Sequence, residues 1–268
     1  MDYTRKLVAV PKLHLDKYYT SDVIATHCIN ICNEKLAKVE ITEVIEPSAG
    51  NGAFSKKLKG CIAYDIEPED NSIIAQDFLK VALKYKKGRL FIGNPPFGTR
   101  NVLAVSFYKQ CVKLGDYIAF ILPISQYNNT QQMYEFNLLY SEDLGKQKFT
   151  DRNIHCCFNV YIRPPNNLNQ KPRSLIIPGV KIIESRLGNN RPVNYDYAIC
   201  GWGAVGKELL DKHYAKEFYF IIDTTRKPEI LKLLQNVDWL YEYKMTSTPN
   251  LLQWQIIQYL QRKLAASL

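Results

Sequence analysis

The chain has 268 residues, 46% of them hydrophobic and 23% charged; this is the make-up of a globular protein with one large domain, or one plus a small appendage, and not of a disordered or fibrous chain. No stretch approaches the ~18 apolar residues of a membrane-spanning helix, and a formal net charge of +9 favours an anionic partner without naming it. Seven cysteines, only Cys156 and Cys157 adjacent, fit a reducing compartment better than a disulfide framework. The opening MDYTRKLVAV lacks the apolar core and cleavage site of a secretory leader, so the expectation is a soluble, cytoplasmic protein with no membrane partner.

In chain order, Ser21-Asp22 can cap a helix running through VIATHCINICNEKL. Val23, Ile24, His27, Cys28, Ile31 and Cys32 fall at helical spacing and predict its apolar face. His27, Cys28 and Cys32 sit on one helix with no second cluster, a poor zinc set, so core packing is expected and no metal. Residues 41–46 alternate as a strand and run into Pro47-Ser48-Ala49-Gly50-Asn51-Gly52-Ala53-Phe54, a glycine turn leading to a helix start. Gly50 and Gly52 let the backbone approach a ligand closely, and the N–H groups of a helix start favour an anion such as a carboxylate. The turn is neither G-x-G-x-x-G nor a phosphate-binding loop with Gly-Lys-Ser/Thr.

A second strand, residues 61–66, carries Asp65 at its end, where a carboxylate can accept from both hydroxyls of a ribose. A third, Ser72 to Gln76, runs into Asp77 and Phe78, an acceptor beside an aromatic ring. The fourth, Leu90-Phe91-Ile92, ends in Gly93-Asn94-Pro95-Pro96-Phe97-Gly98. Two prolines cannot continue a sheet ladder, so the chain leaves the strand tip rigid and extended. In an open α/β sheet that edge is where ligands bind.

A helix over residues 101–114 and a buried strand over 116–122, closed by Pro123, follow. The polar segment SQYNNTQQ then leads to a hairpin of residues 144–149 and 156–163. Lys146, Lys148, Phe149 and Arg152 lie in or beside its connection. Near residue 164 the chain turns Pro- and Asn-rich, which predicts a domain boundary: 1–164 as one domain, 165–268 as a second, smaller one. The second carries a patchwork of short strands and helices, with an amphipathic helix near 250–266. Its Lys171, Arg173, Lys181, Arg186 and Arg191 are interleaved with Asn189, Asn190, Asn194, Tyr195 and Tyr197, a mixture suited to holding phosphates and touching bases.

Laid out in this order, residues 17–163 resemble the S-adenosylmethionine-dependent amino-methyltransferases of DNA, in the γ-ordered group that acts on adenine N6. Tyr18-Tyr19-Thr20 is similar to the group's upstream cofactor motif, although Ser21 stands where a proline often does. EPSAGNG at 46–52, Asp65-Ile66, Asp77-Phe78 and Asn94-Pro95-Pro96-Phe97 are similar to the motifs that follow, and Phe149 to the aromatic that holds a flipped base. The resemblance implies an α/β fold: a Rossmann-like seven-stranded methyltransferase sheet, mostly parallel with the last hairpin strand antiparallel, and a small C-terminal α+β appendage.

It also implies S-adenosyl-L-methionine as cofactor, without a metal. Tyr19 and Thr20 would flank it, Glu46 would lie near the methionine amine, and Ser48 and the Gly50–Gly52 backbone near the carboxylate. Asp65 would hold the ribose with Ile66 against the adenine, Asp77 would read the adenine amine, and Phe78 would stack. Asn94 and the Pro95 carbonyl would accept the two hydrogens of a planar amine and free its lone pair for attack. The target base, flipped from its duplex, would lie between Phe97 and Phe149, with Lys146, Lys148, Arg152, Lys171 and Arg173 on the phosphate backbone.

DNA is the implied partner, with RNA an alternative and a restriction endonuclease or separate recognition subunit possible. A glutamine amide in a protein is also planar and remains a further alternative. Cytosine N4 usually goes with serine in place of Asn94, and no Pro-Cys nucleophile is present for cytosine C5.

Overall fold

The computed structural model describes residues 19–149, 152–170, 176–210, 212–245 and 249–265. The first helix, α1, spans Asp22–Lys35, and the Ser21 hydroxyl caps it by accepting from the Ile24 N–H at 3.4 Å. Its buried row is Ala25, Cys28, Ile29 and Cys32, the i, i+3, i+4, i+7 pattern of one helix face. The predicted face is therefore rotated: Cys28 and Cys32 are inside as expected, whereas Val23 is 76% exposed.

Five strands follow: β1 Glu43–Glu46, β2 Ile62–Asp65, β3 Ile74–Ala75, β4 Arg89–Gly93 and β5 Tyr117–Pro123, the last preceded by helix α2, Val102–Leu114. A long hairpin, β6 Asn137–Phe149 and β7 Arg152–Ile162, completes a seven-stranded sheet in the order β3-β2-β1-β4-β5-β7-β6. Strands β3 through β5 are parallel. Only two residues join β6 to β7, which obliges them to run antiparallel. This is the Rossmann-like seven-stranded α/β sheet, mostly parallel with an antiparallel hairpin, that the sequence analysis expects. Every residue of β4 is buried, and Ile118 to Leu122 of β5 are at 0% exposure, as central strands require.

One expectation fails. No α-helix follows the glycine turn; a single 3-10 turn, Ser55–Lys57, stands in its place. Leu58 is already extended, Gly60 at φ +76° redirects the chain, and β2 begins two residues later. There is no length in which a helix could propagate. The same economy recurs between β3 and β4, where a 3-10 turn, Phe78–Lys80, is the only helical turn.

Two compact units divide the chain. The first runs to Ile121 and takes in Lys146–Ile154; the second comprises Leu122–Gly145 and the residues from His155 onward. Within the second, β8 Val180–Arg186, β9 Tyr197–Cys200 and β10 Lys216–Ile222 form an antiparallel sheet in the order β8-β10-β9. Helices α3 Lys227–Asn236, α4 Trp239–Glu242 and α5 Gln253–Ala265 follow. Phe218, Phe220 and Ile199 share a core with Ile230, Leu234, Trp239, Ile256 and Leu260, so one face of the sheet is covered by the helices.

Strand alternation sends Glu217 to the opposite side of β10, where its side chain is wholly buried. Arg191 grips it in a fork, Nε at 2.9 Å and Nη2 at 3.1 Å, and the Tyr214 N–H and Tyr219 hydroxyl each donate at 2.7 Å. A buried carboxylate is tolerable only with such partners.

Candidate functional site

Parallel pairing of β2, β1 and β4 brings their carboxyl-terminal ends to one edge, with Ile45 opposite Ile62 and Phe91. Glu46, Asp65 and Asn94 leave that edge together, and with Asp77 they line one cavity of about 320 Å³. Tyr19 and Thr20 from the upstream segment, and Ser48 and Gly50 from the glycine turn, also line it. So do Ile66, Phe78, Pro95 and Pro96. The first unit thus gathers twelve of the sequence-predicted site residues around a single space.

The glycine turn is shaped by its own acids. Gly50 sits at φ +54°, in the left-handed region, and a Cβ there would meet the Tyr19 ring at 3.5 Å. Asp65 accepts from the Gly50 N–H through Oδ2 at 2.7 Å and from the Glu67 N–H through Oδ1 at 2.8 Å. Each carboxylate oxygen keeps a second lone pair for a ligand hydroxyl. Gly52 also has positive φ, +79°, but the cavity is lined by its neighbours Asn51 and Ala53 and not by Gly52.

Glu46 takes the place the sequence assigns to a ligand anion. Its Oε2 accepts from the Ser55 N–H at 2.7 Å and its Oε1 from the Phe54 N–H at 3.4 Å. The orphan donors at the head of the short turn are therefore satisfied by the protein's own carboxylate. Burial, opposed by these hydrogen bonds and reinforced by the charge of Asp65, pushes the Glu46 carboxyl up to about 7.

Asp77 caps the second 3-10 turn, accepting from the Leu79 N–H at 3.0 Å, and pairs with Lys80 at 3.1 Å. Phe78 is 1% exposed and packs among Tyr64, Phe91 and Phe107, so it forms cavity wall more than an open stacking face. Ile66 is the reverse, 57% exposed at the cavity, an aliphatic side chain offered to a ring.

At the tip of β4 the Asn94 amide nitrogen donates to the Thr20 hydroxyl at 3.2 Å, while the Ser48 hydroxyl donates to the Asn94 backbone carbonyl at 3.3 Å. These bonds set the direction of the amide. The Phe97 carbonyl accepts from the N–H groups of Leu103 and Ala104, tying the tetrapeptide to the head of α2. Phe97 itself is 6% exposed and does not line the cavity, unlike the base-stacking position the sequence implies.

The remaining predicted residues are spread along the hairpin and beyond. Lys146 and Lys148 are exposed on β6, which ends at Phe149; β7 begins at Arg152. Lys171 and Arg173 lie outside the described residues, as does Tyr18. Of the C-terminal basic set, Arg191 is committed to Glu217, and Tyr197 is buried at 6%, so neither faces outward as an open contact. Sequence reasoning missed Glu67, Gln76, Leu103 and Phe107, all at the cavity. The last two come from one face of α2 at i and i+4, a signal that a helical reading of 101–114 contains.

The charge of the cavity is its sharpest feature. Glu46, Asp65, Glu67 and Asp77 line it, and among the described residues no lysine, arginine or histidine does, in a chain of net charge +9. Such a space repels phosphate and attracts a cation. Among the described residues no cluster of three or more histidine, cysteine or acidic side chains could hold a metal ion. No described helix is long and apolar enough to cross a membrane.

Neither a family model nor a curated protein matches this chain. Among solved structures it is similar to a proposed RNA methyltransferase, PH1948, from Pyrococcus horikoshii, at 15% identity over 58% of this chain and 90% of that one, with a TM-score of 0.44. It is similar also to Thermoplasma acidophilum 1320, at 17% identity over 57% and 93% with a TM-score of 0.42. The 23S rRNA methyltransferase ErmE is similar at 12% identity over 57% and 72%, with a TM-score of 0.41.

Proposed function

We propose that this chain transfers a methyl group from S-adenosylmethionine to the N6 amine of adenine in DNA. The observation that carries the reading is one cavity, lined by acids and by no cation among the described residues, that has the Asn94-Pro95-Pro96 strand tip in its wall. A dinucleotide or nucleotide triphosphate brings negative charge and needs donors there. S-adenosylmethionine instead presents a sulfonium, an ammonium, a ribose and an adenine, and when bound supplies an electrophilic methyl group. Glu46 matches the ammonium, Asp65 the ribose hydroxyls, and Ile66 and Phe78 the ring.

At Asn94 the chain holds an amide whose nitrogen is already occupied by Thr20. The amide oxygen and the Pro95 carbonyl are the acceptors proposed for the two hydrogens of an adenine amine. Accepting both draws the nitrogen from planar towards tetrahedral geometry and returns its lone pair from the ring. No base need remove a proton beforehand, because the nitrogen becomes acidic only once alkylated. The residues act by position and by charge aimed at the transition state. Phe149 is the side chain proposed to stack on the flipped base.

The test is methyl transfer from labelled cofactor to duplex DNA, structured RNA and a protein extract in parallel. N6-methyladenine in DNA is the expected product. Label confined to RNA moves the substrate to that polymer, and label in glutamine overturns the nucleic-acid reading.

A further inference from the structure

Of the four acids that line the cavity, Glu46 alone is buried, at 1% exposure. The groups facing it can be taken element by element. From the 3-10 turn come the N–H groups of Phe54 and Ser55. The lysines of that turn are engaged elsewhere, Lys56 with Asp70 at 2.8 Å and Lys57 with Asp22 at 2.5 Å. At the tip of β2 stands Asp65, a like charge, and just before that strand Cys61, whose thiol burial pushes up to about 12. From β4 the neighbour is Gly93, where a Cβ would lie 3.5 Å from the Glu46 Cγ, and it brings no charge.

Glu46 therefore has two backbone donors, the Ser55 hydroxyl, one nearby acid and, among the described residues, no cation. Desolvation and the neighbouring carboxylate both favour its neutral form, and the two N–H groups and the Ser55 hydroxyl oppose them. A cation entering the cavity would be the first positive charge that it meets among the described residues.

We infer that a ligand bearing an amino-acid ammonium binds this cavity in exchange for a proton from Glu46, so that occupancy is coupled to proton release. The inference rests on the cofactor reading above, which supplies the ammonium. The balance is simple: the Glu46 O–H bond breaks, its proton passes to the buffer, and the carboxylate left behind pairs with the ammonium. The charge of the site is the same before and after. Binding then strengthens with rising pH through neutrality and levels off once Glu46 is ionised in the free protein.

The experiment is calorimetric titration of the full chain with S-adenosylhomocysteine, whose amine stays protonated between pH 6 and 8. It is run at each pH in two buffers of different ionisation enthalpy. Close to one proton released per ligand is expected at pH 6, falling towards zero at pH 8, with affinity rising roughly tenfold across that range. Glu46→Gln should bind more weakly, with no proton release and no pH dependence. A wild-type proton count near zero at pH 6 overturns the inference while leaving the cofactor reading intact, and proton release that persists in Glu46→Gln overturns it equally. Absence of binding at any pH overturns the cofactor reading and the inference with it. Should Glu46→Gln fail to fold, the wild-type proton count decides alone.

Discussion

Asn94 and Asp65 line one cavity yet should fail differently when altered. The Asn94 side chain is held by Thr20, and its backbone carbonyl by Ser48. Asn94→Ala should cost at least 10²-fold in kcat, the scale of a lost transition-state contact, and leave cofactor affinity within a few-fold. Asp65 instead gathers the N–H groups of Gly50 and Glu67 and so shapes the cavity itself. Asp65→Ala should weaken cofactor binding, measured by calorimetry, by more than it lowers kcat at saturation. The opposite pattern would exchange the two roles. Glu46 adds a pH signature of its own to the ligand-free protein. Its folded carboxyl titrates near 7, above its unfolded value of 4.5. The folded state thus binds more protons than the unfolded state between those two pH values. Through Glu46, stability is highest below about pH 4.5 and declines as pH rises to about 7. Thermal melts of the ligand-free protein, compared with Glu46→Gln, check the sign.

At the scale of elements, the strand tips and the helix between β4 and β5 were legible, and the segment after the glycine turn was not. Runs ending in Glu46, Asp65, Asp77 and Asn94 announce strand tips, residues 41–46 by their alternation and Leu90-Phe91-Ile92 because a strand buried on both faces is apolar throughout. The glycine turn looked like a helix start because Gly50, Gly52 and the polar residues after them satisfy the usual signals. What decided against a helix is the chain turning extended at Leu58 and Gly60 ending the segment at positive φ. Phe78 and Phe97 read as stacking rings for a similar reason: sequence gives proximity to a strand tip, and only packing says which way a ring faces. The turn after the tetrapeptide offers a direct check. Gly98 has φ +67°, and a Cβ there would lie 2.8 Å from Leu103 Cγ at the head of α2. Gly98→Ala should cost about 1–3 kcal/mol of stability, read as a lower melting temperature, and should loosen the tetrapeptide enough to lower kcat. The fork of Arg191 on Glu217 offers another within the second unit. The Arg191 guanidinium and the Tyr214 and Tyr219 donors outweigh desolvation and hold the Glu217 carboxyl down at about 2. That stabilisation is present above the unfolded value near 4.5 and is lost as pH falls through about 2. Arg191→Ala should lower the melting temperature at pH 7 and flatten the acid limb of the melt.

At the scale of the whole molecule, four acids and, among the described residues, no basic side chain line the cavity of a chain of net charge +9. In the proposed reading an anionic polymer is thereby drawn to the surface and kept out of the cofactor space. Lys146 and Lys148 are the clearest candidates to meet it among the described residues. Both are exposed on β6, and they lie two residues apart, so strand alternation places them on one face of the hairpin. If both contact phosphate, each contributes about 0.9 to the slope of log affinity against log salt on duplex DNA. Lys146→Ala with Lys148→Ala should reduce that slope by about 1.8, weaken binding at 50 mM salt, and leave S-adenosylhomocysteine affinity unchanged. Filter-binding across a salt series reads all three. A slope that stays at its wild-type value would remove β6 from the nucleic-acid face and assign the contact to other basic residues. A slope that falls together with cofactor affinity would mean that the substitutions disturb the fold, since neither lysine lines the cavity.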